Sequence, residues 1–124
     1  MKDTAQRDVT TYTWDEIPHE HLSDMLSRKI ITGDRTMIAH IFLKKGCVVP
    51  AHSHDNEQMT YIISGALKFT VNGREILLKA GGVMHIPSNV VHAAVAVEDT
   101  LDMDVFTPPR QDWLDKTDAY LRGK

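Results

Sequence analysis

Short strands separated by turn signals are the structure that the apolar and polar positions predict for most of the chain. Residues 67–78 show this best, because apolar and polar residues alternate up to the dipeptide Asn72-Gly73. That dipeptide supplies the two positive-φ residues of a type I′ turn. Three cross-strand pairs would then share one face: Val71 with Arg74, Phe69 with Ile76 and Leu67 with Leu78. The segment is predicted to be a β-hairpin.

Five further strands are predicted between glycine, Pro-Ser-Asn and Glu-Asp turn signals: Met37 to Lys44, Gln58 to Ile63, Val83 to Ile86, Val91 to Val97 and Leu101 to Phe106. Short strands that recur about every 8 to 12 residues are typical of a β-sandwich or barrel. No helix-length segment separates them, which disfavours a parallel α/β fold. The fold class is therefore predicted to be all-β.

The two ends of the chain have weaker patterns. Val9 to Trp14 is predicted to form an edge strand, and Pro18 to Ser27 a helical turn or loop. Pro108-Pro109 would stop the last strand. After it, apolar residues recur at spacings that favour a short C-terminal helix laid on the barrel: Trp113, Leu114, Tyr120 and Leu121.

Length and composition fit one compact globular domain. The chain has 124 residues, of which 42% are hydrophobic and 25% charged, values that exclude disorder over the whole length. We predict a single domain over residues 1–124, with a barrel core at about 36–107. The N-terminal edge strand or loop would occupy residues 1–35, and the C-terminal tail or helix residues 108–124.

The charge pattern limits the classes of binding partner that are expected. The formal net charge is -3 and no basic block occurs, so neither nucleic acid nor an anionic membrane is expected as a partner. The first twenty residues lack the apolar stretch of a signal peptide, and no later apolar run is long enough to cross a bilayer. We therefore expect a cytoplasmic protein.

Cysteine and histidine usage points to different roles. The single cysteine, Cys47, excludes an internal disulfide framework, and a buried apolar role is its simplest interpretation. Histidine is abundant, with seven residues. His40 and His85 are expected to be structural, with a place in the cavity wall as the alternative. His19 and His21 are expected at the surface.

Two segments carry the histidines that suggest a metal site. His52 and His54 would project from the same face of a strand, since side chains alternate with period two, so both imidazoles could reach one metal. His92 follows Pro87 by five residues, in a second segment that runs from glycine to proline. The alternative is that these histidines line a polar barrel mouth without metal. Several neutral rings that face one point cost desolvation, which a bound cation offsets.

Both segments resemble the two motifs of the cupin superfamily, and the resemblance covers about residues 46–96. It implies a double-stranded β-helix, or jelly-roll barrel, with one divalent transition metal per chain. The implied metal ligands are His52, His54, Gln58 and His92. Gln58 stands where the family usually has glutamate, with Glu57 beside it as the alternative ligand, and Ala96 replaces an asparagine that often closes the second motif.

The neutral amide of Gln58 favours one of two kinds of metal chemistry over the other. Oxygenases of this type use two histidines and a carboxylate that stabilises oxidised iron. An uncharged ligand set suits Lewis-acid polarisation of a carbonyl or hydroxyl better. Nitrogen and oxygen ligands suit iron, nickel, manganese or zinc, so the metal stays open.

The last predicted strand alternates acids with aliphatic residues. Leu101, Met103 and Val105 share one face, and Asp102, Asp104 and Phe106 share the other. If the aliphatic face is packed, both acids point to solvent. The alternative is that the acids face the barrel interior and take part in the chemistry.

The run from Asp104 to Leu114 resembles the C-terminal signature of one cupin branch, which includes the enzyme that converts unsaturated uronates to linear keto sugars. The resemblance implies site residues at Asp104, Phe106 and Arg110. Arg110 would clamp a substrate carboxylate, Asp104 would move a proton, and Phe106 would shape the pocket. A surface ion pair with Asp112 or Asp115 is the alternative for Arg110.

These features predict a metal-dependent, non-redox conversion of a small acidic sugar-like metabolite, such as the ring opening of a 4,5-unsaturated uronate. An Fe(II)-dependent cupin dioxygenase and a non-catalytic sugar- or metabolite-binding cupin are the alternatives. A homodimer is expected, since small barrels of this family commonly cover an exposed sheet with a second copy.

Overall fold

The computed structural model describes residues 8–122. Ten strands form in this part of the chain: β1 (Glu20–His21), β2 (Leu26–Thr32), β3 (Met37–Leu43), β4 (Val48–His52), β5 (Glu57–Ser64), β6 (Ala66–Val71), β7 (Arg74–Lys79), β8 (Val83–Ile86), β9 (His92–Ala96) and β10 (Thr100–Thr107). One short helix, α1 (Gln111–Leu114), follows β10. Single 3₁₀ turns occupy Trp14–Glu16 and Ala119–Leu121.

The strands form two antiparallel sheets. One sheet has six strands in the order β1-β2-β3-β10-β5-β8, and the other has four in the order β4-β9-β6-β7. Apolar side chains from both sheets form one core, which includes Ile62 of β5 and Phe69 of β6. The predicted all-β fold with a short C-terminal helix is confirmed.

The predicted hairpin is β6-β7, and its register is the predicted one. Phe69 pairs with Ile76 and Leu67 with Leu78. The turn residues Asn72 and Gly73 have φ angles of 51° and 75°, as a type I′ turn requires.

Gly65 joins the two sheets, because it lies between β5 of the larger sheet and β6 of the smaller one. Its φ is +88°, and a Cβ at this position would clash with the Asp99 carbonyl oxygen and with Thr100. Only glycine fits this position without strain.

The predictions for the N-terminal region are wrong in part. The predicted edge strand at residues 9–14 does not form: Val9 and Tyr12 are exposed, and Trp14 begins a 3₁₀ turn. The segment predicted as a helical turn or loop contains β1 and the start of β2. The pattern concealed β2 because it buries Ser27 and the charged Arg28, which a sequence pattern assigns to solvent.

Two arginines and two carboxylates form a closed ring of ion pairs at this edge of the barrel. Arg28 Nε donates to Glu20 Oε1 at 2.9 Å, and its Nη1 donates to Asp118 Oδ2 at 2.6 Å. Arg122 donates to the second oxygen of each carboxylate, at 2.8 and 3.0 Å. The ring ties the C-terminal segment to β1 and β2.

The C-terminal segment folds back over the barrel in two short pieces. β10 ends at Thr107, next to the two prolines, as predicted. The helix is only four residues long, and Lys116, with φ +59°, turns the chain before the 3₁₀ turn. Trp113 and Leu121 are buried, whereas Leu114 is exposed.

The substitution Asp118→Asn is expected to destabilise the protein by about 3 kcal/mol, because it leaves the buried Arg28 without one of its two charged partners. For a domain of this size, that corresponds to a melting temperature lower by about 10 °C, measurable by calorimetry. Asp115→Asn is the matched control, since Asp115 is exposed and, among residues 8–122, bonds only Gln111 and the local backbone. Equal melting temperatures for the two variants would contradict this role of the ring.

Two smaller predictions can be compared with the fold. Cys47 is buried in the apolar core, and burial raises the pKa of its thiol, which agrees with the apolar role.

None of the helical segments between residues 8 and 122 has the length and hydropathy that a membrane crossing needs.

Candidate active site

Three histidines converge at one end of the barrel. His52 ends β4 and pairs across the sheet with His92, the first residue of β9. His54 lies beyond the end of β4, in the loop to β5, so the strand predicted to carry both residues stops at His52. The nitrogen atoms that the three rings can offer to a metal all lie within 4.8 Å of one another.

A backbone carbonyl fixes the tautomer of each ring. His52 Nδ1 lies 2.8 Å from Pro50 O, His54 Nδ1 3.0 Å from Asn56 O, and His92 Nδ1 2.9 Å from Val90 O. A carbonyl can only accept, so each Nδ1 donates its hydrogen. Each Nε2 then presents a lone pair, which is the arrangement that metal-binding histidines need.

Burial keeps these rings neutral. Desolvation lowers the pKa of His52 and of His54 to about 4, and it also lowers the pKa of His92. The nearby Arg110 guanidinium lowers all three further. The rings are therefore uncharged at neutral pH and available as ligands.

Gln58 and Glu57 point to opposite sides of β5. Gln58 is buried with its Oε1 only 3.0 Å from His54 Nε2. The Glu57 side chain is 60% exposed and pairs with His85 Nε2 at 2.7 Å on the outside of the barrel. The geometry therefore directs the amide, and not the carboxylate, to the histidines.

The contact between His54 and Gln58 tests whether a cation fits here. Gln58 Nε2 donates to Thr60, so its Oε1 faces the ring. His54 thus lies between two acceptors, Asn56 O and Gln58 Oε1, both at 3.0 Å. A neutral imidazole can satisfy only one of them, and burial disfavours a second proton. A cation beside Nε2 and Oε1 resolves this conflict, so the residues fit a metal ion.

A chain of polar groups leads from Gln58 into the barrel. Gln58 Nε2 donates to Thr60 Oγ1 at 2.8 Å, and Thr60 donates to Asp104 Oδ1 at 2.8 Å. Asp104 and Thr60 are cross-strand partners, and Asp102 lies one pair deeper. Asp102, Asp104 and Phe106 are all buried, so the interpretation that the acids face solvent is wrong: the aliphatic face of β10 is the outer one.

Burial raises the pKa of both acids. For Asp102, desolvation and the neighbouring Asp104 raise the pKa well above its usual value. Desolvation raises the pKa of Asp104 to about 6, because hydrogen bonds from Thr60 and Asp102 and the Arg110 charge offset part of the penalty. Burial therefore favours the protonated form of both acids, and the pKa of Asp104 comes close to neutrality.

Arg110 is a buried residue with a partly neutralised charge. Its Nε and Nη2 donate to the two oxygens of Asp112 at 2.9 and 2.8 Å, and Nη2 also donates to Tyr120 at 2.7 Å. The ion pair with Asp112 exists, as the alternative interpretation had it, but Arg110 is only 2% exposed and is not a surface residue. Its Cζ lies 5.1 Å from the Phe106 ring.

Two aromatic residues that the sequence pattern does not assign to the site also line its cavity. The Tyr120 ring stacks on His52 at 4.5 Å between centroids. The Trp113 ring meets Phe106 edge to face at 4.9 Å. The Tyr120 hydroxyl lies towards the Trp113 N–H, although the geometry is not that of a hydrogen bond. Both were predicted only as apolar helix residues.

A cavity of about 60 Å³ lies beside the histidines. Its polar wall includes the following residues: Arg28, His52, Gln58, Thr60, His92, Asp102, Asp104, Arg110 and Tyr120. Of these, Arg28, Thr60 and Tyr120 are additions to the predicted site, and Asp102 lies here as the alternative interpretation of the last strand had it. Thr60 has a sequence signal, because it stands two residues after Gln58 on the same strand face.

The remaining histidines lie outside this cavity. His40 stacks on Trp14 at 3.6 Å between ring centroids, on the outer face of the larger sheet. His85 is the exposed partner of Glu57. His19 and His21 are exposed, as expected.

Comparisons with known proteins agree with this architecture. The Cupin domain family matches residues 39–107. The pectin degradation protein KdgF of Dickeya dadantii (strain 3937) is 34% identical over 103 residues, which are 81% of this chain and 94% of that protein.

Two solved structures resemble the whole barrel. KdgF from Halomonas sp. has a TM-score of 0.79 and 28% identity, covering 84% of this chain and 99% of that one. An RmlC-like cupin from Shewanella frigidimarina NCIMB 400 has a TM-score of 0.79 and 26% identity, covering 87% and 98%. On these matches and on its two-sheet barrel, the chain belongs to the cupin domain family.

Proposed function

We propose that this protein is a metal-dependent enzyme that converts a small acidic sugar by non-redox chemistry. The conflict of acceptors around His54 carries the proposal, because a cation resolves it at the place where three neutral imidazoles and one amide oxygen meet. A buried acid of raised pKa and a buried arginine line the same cavity.

The proposed ligands are His52, His54, Gln58 and His92. A divalent metal held by this set would act as a Lewis acid that polarises a bound oxygen. The outward position of Glu57 weighs against the dioxygenase alternative, since the carboxylate that would complete a two-histidine, one-carboxylate set points away.

Arg110 is proposed to hold the substrate carboxylate. Asp112 and Tyr120 occupy its Nε and Nη2 hydrogens, which leaves Nη1 for the ligand. Asp112 also fixes the plane of the guanidinium, so little side-chain entropy is lost on binding. Phe106 beside it excludes water and strengthens the charge interaction.

Asp104 is proposed to carry the proton. It faces the cavity, and Thr60 holds one of its oxygens in place. A carboxyl group near half-protonation at the working pH can both accept and donate a proton.

The relative named as a pectin degradation protein suggests the substrate class. We propose a 4,5-unsaturated uronate, whose ring oxygen becomes an enol oxygen when the ring opens. Tautomerisation then moves one proton to C4 and leaves a linear keto sugar, with no net gain or loss of atoms. A sugar acid is larger than the cavity of about 60 Å³, so part of it would extend outward beside His52 and Tyr120.

The decisive experiment combines metal analysis of freshly purified protein with an ultraviolet assay on unsaturated uronates. The expected result is about one metal per chain, with loss of absorbance from the double bond and no oxygen uptake. Oxygen consumption that requires iron would support the dioxygenase instead. Binding of the uronate without any absorbance change would favour the non-catalytic alternative.

The substitution Arg110→Lys is expected to weaken the binding of acidic substrates, with KM about tenfold higher. A lysine ammonium cannot hold Asp112 and Tyr120 and also donate to the substrate carboxylate from the position of Nη1. A neutral sugar analogue of the same size should be affected less than twofold. Inhibition constants for the two ligands measure this difference. Equal weakening of both would contradict the carboxylate clamp.

We also propose a homodimer. The outer face of the larger sheet is apolar where Met59 and Tyr61 of β5 pair with Val105 and Met103 of β10. Met59 and Tyr61 are exposed, and a second copy would cover this face.

A further inference from the structure

Three buried polar atoms have no hydrogen-bond partner within residues 8–122: Arg28 Nη2, Asp102 Oδ1 and Trp113 Nε1. All three belong to residues that line the cavity beside the histidines. A buried polar atom without a partner costs free energy, and folded proteins contain few of them. Three such atoms in residues that line one cavity indicate a place built for a ligand.

Arg28 Nη2 is the stronger of the two donors, because it carries part of a positive charge. Its Nε and Nη1 are bound to Glu20 and Asp118, and the side chain is 0% exposed. The ring of two arginines and two carboxylates balances its charge, so Nη2 needs an acceptor but not a counter-ion. This balance favours a neutral oxygen over a second carboxylate as the missing partner.

Trp113 connects this end of the cavity to Arg110. The Cζ atoms of Arg28 and Arg110 lie 4.4 and 4.8 Å from the Trp113 ring. The two guanidinium groups are therefore within about 9 Å of each other. One sugar acid could reach both, with its carboxylate at Arg110 and its other substituents towards Arg28.

Asp102 supplies the acceptor. On β10 it lies one pair deeper than Asp104, between Ile41 of β3 and Ile62 of β5. The neighbouring Asp104 contributes to the raised pKa of Asp102. Oδ1 of Asp102 has no hydrogen-bond partner among the described residues and is available to accept.

We propose that Arg28, Trp113 and Asp102 form an inner subsite that binds the hydroxyl groups of the sugar. Two N–H donors and one acceptor complement a hydroxyl group, whose oxygen accepts and whose single hydrogen donates. This inference rests on the proposed function, which places the substrate carboxylate at Arg110. It adds hydrogen bonds to the sugar hydroxyls, by which the protein would distinguish its substrate from other acids. A site that hydrogen-bonds a hydroxyl rejects an analogue without it, since the buried polar groups are then left unpaired.

The subsite is tested by the binding of two separate compounds, each of which has one carboxylate on a six-membered ring. D-galacturonate carries hydroxyls and cyclohexanecarboxylate does not, and calorimetry on the metal-loaded protein measures both without turnover. We expect galacturonate to bind at least about tenfold more tightly. Failure of turnover on unsaturated uronates would overturn the proposed function and leave this preference intact, whereas equal affinity for the two probes would overturn the subsite.

Two variants assign the preference to these residues. Trp113→Phe keeps an aromatic ring but removes the N–H, so galacturonate should bind about tenfold more weakly and cyclohexanecarboxylate less than twofold. Trp14→Phe is the matched control, since Trp14 lies on the outer face against His40, and it should change neither affinity. Equal weakening of both probes by Trp113→Phe would mean that its role is packing and would overturn the assignment.

Asp102→Leu separates binding from folding. Replacing a buried acid that has one unpartnered oxygen by an apolar residue of similar branching should raise the melting temperature. The same change should weaken galacturonate about tenfold, and a structural role alone would not couple these opposite effects. Unchanged galacturonate affinity, or only ordered water at the three atoms in a galacturonate complex, would overturn the subsite.

Discussion

His92→Ala is expected to abolish stoichiometric metal binding, with metal content falling from about one per chain to less than about a tenth. The reason is geometric, because His92 and His52 are cross-strand partners whose rings lie 4.2 Å apart between centroids. A ligand that binds only the folded state stabilises it by about 2.7 kcal/mol at a hundred times its dissociation constant. Chelation should therefore lower the melting temperature of the wild-type protein by about 10 °C and leave the variant unchanged.

The companion variants for this prediction compare a proposed ligand with residues outside the cluster. His85→Ala should keep the metal, since His85 is exposed and pairs with Glu57. Gln58→Ala should lose metal affinity and Glu57→Gln should not, because the two side chains lie on opposite sides of β5. Metal loss in Glu57→Gln would exclude the proposed ligand set, as would full metal content in His92→Ala.

The barrel was predictable where local pattern and pairing coincide. The register of β6 and β7 follows from Asn72-Gly73, because a two-residue turn leaves only one way to pair the flanking residues. The two histidine motifs lie near strand ends next to glycine and proline, and in the structure His52 and His92 are cross-strand partners there. In these cases the residues that determine the register or the strand end lie within a few positions of it in the sequence.

Buried charge was not predictable, because its partners are distant in the sequence. Arg28 pairs with Asp118 across 90 positions, and Arg122 with Glu20 across 102. A pattern that assigns charged residues to solvent therefore conceals β2. The same rule left two faces possible for β10, and only the barrel decides that Asp102 and Asp104 point inward.

The C-terminal segment is a further region in which the sequence pattern predicts only part of the structure. Trp113 and Tyr120 have helix-like spacing, but the chain turns at Lys116 and presents them to the cavity from two separate pieces. Apolar periodicity indicates that these residues are buried. The same periodicity does not show whether these residues pack in the core or line a functional site.

Asp104→Asn is expected to reduce turnover by about 10²-fold or more while metal content stays at the wild-type level. Asparagine has the shape of aspartate and can still accept the hydrogen bond that Thr60 donates to Oδ1, but it cannot take up or release a proton. The loss should fall on kcat, with KM changed less than about threefold, since the proposed carboxylate contact lies at Arg110.

Metal content and kinetics measured on the same sample decide how Asp104 acts. If turnover and metal fall together, Asp104 acts through Thr60 on the position of Gln58, and its role is structural. If turnover falls alone, the carboxyl group moves the proton. Asp99→Asn is the matched control, because Asp99 is an exposed acid that accepts from the Lys45 backbone outside the cavity. Undiminished kcat in Asp104→Asn would assign the proton transfer to another group.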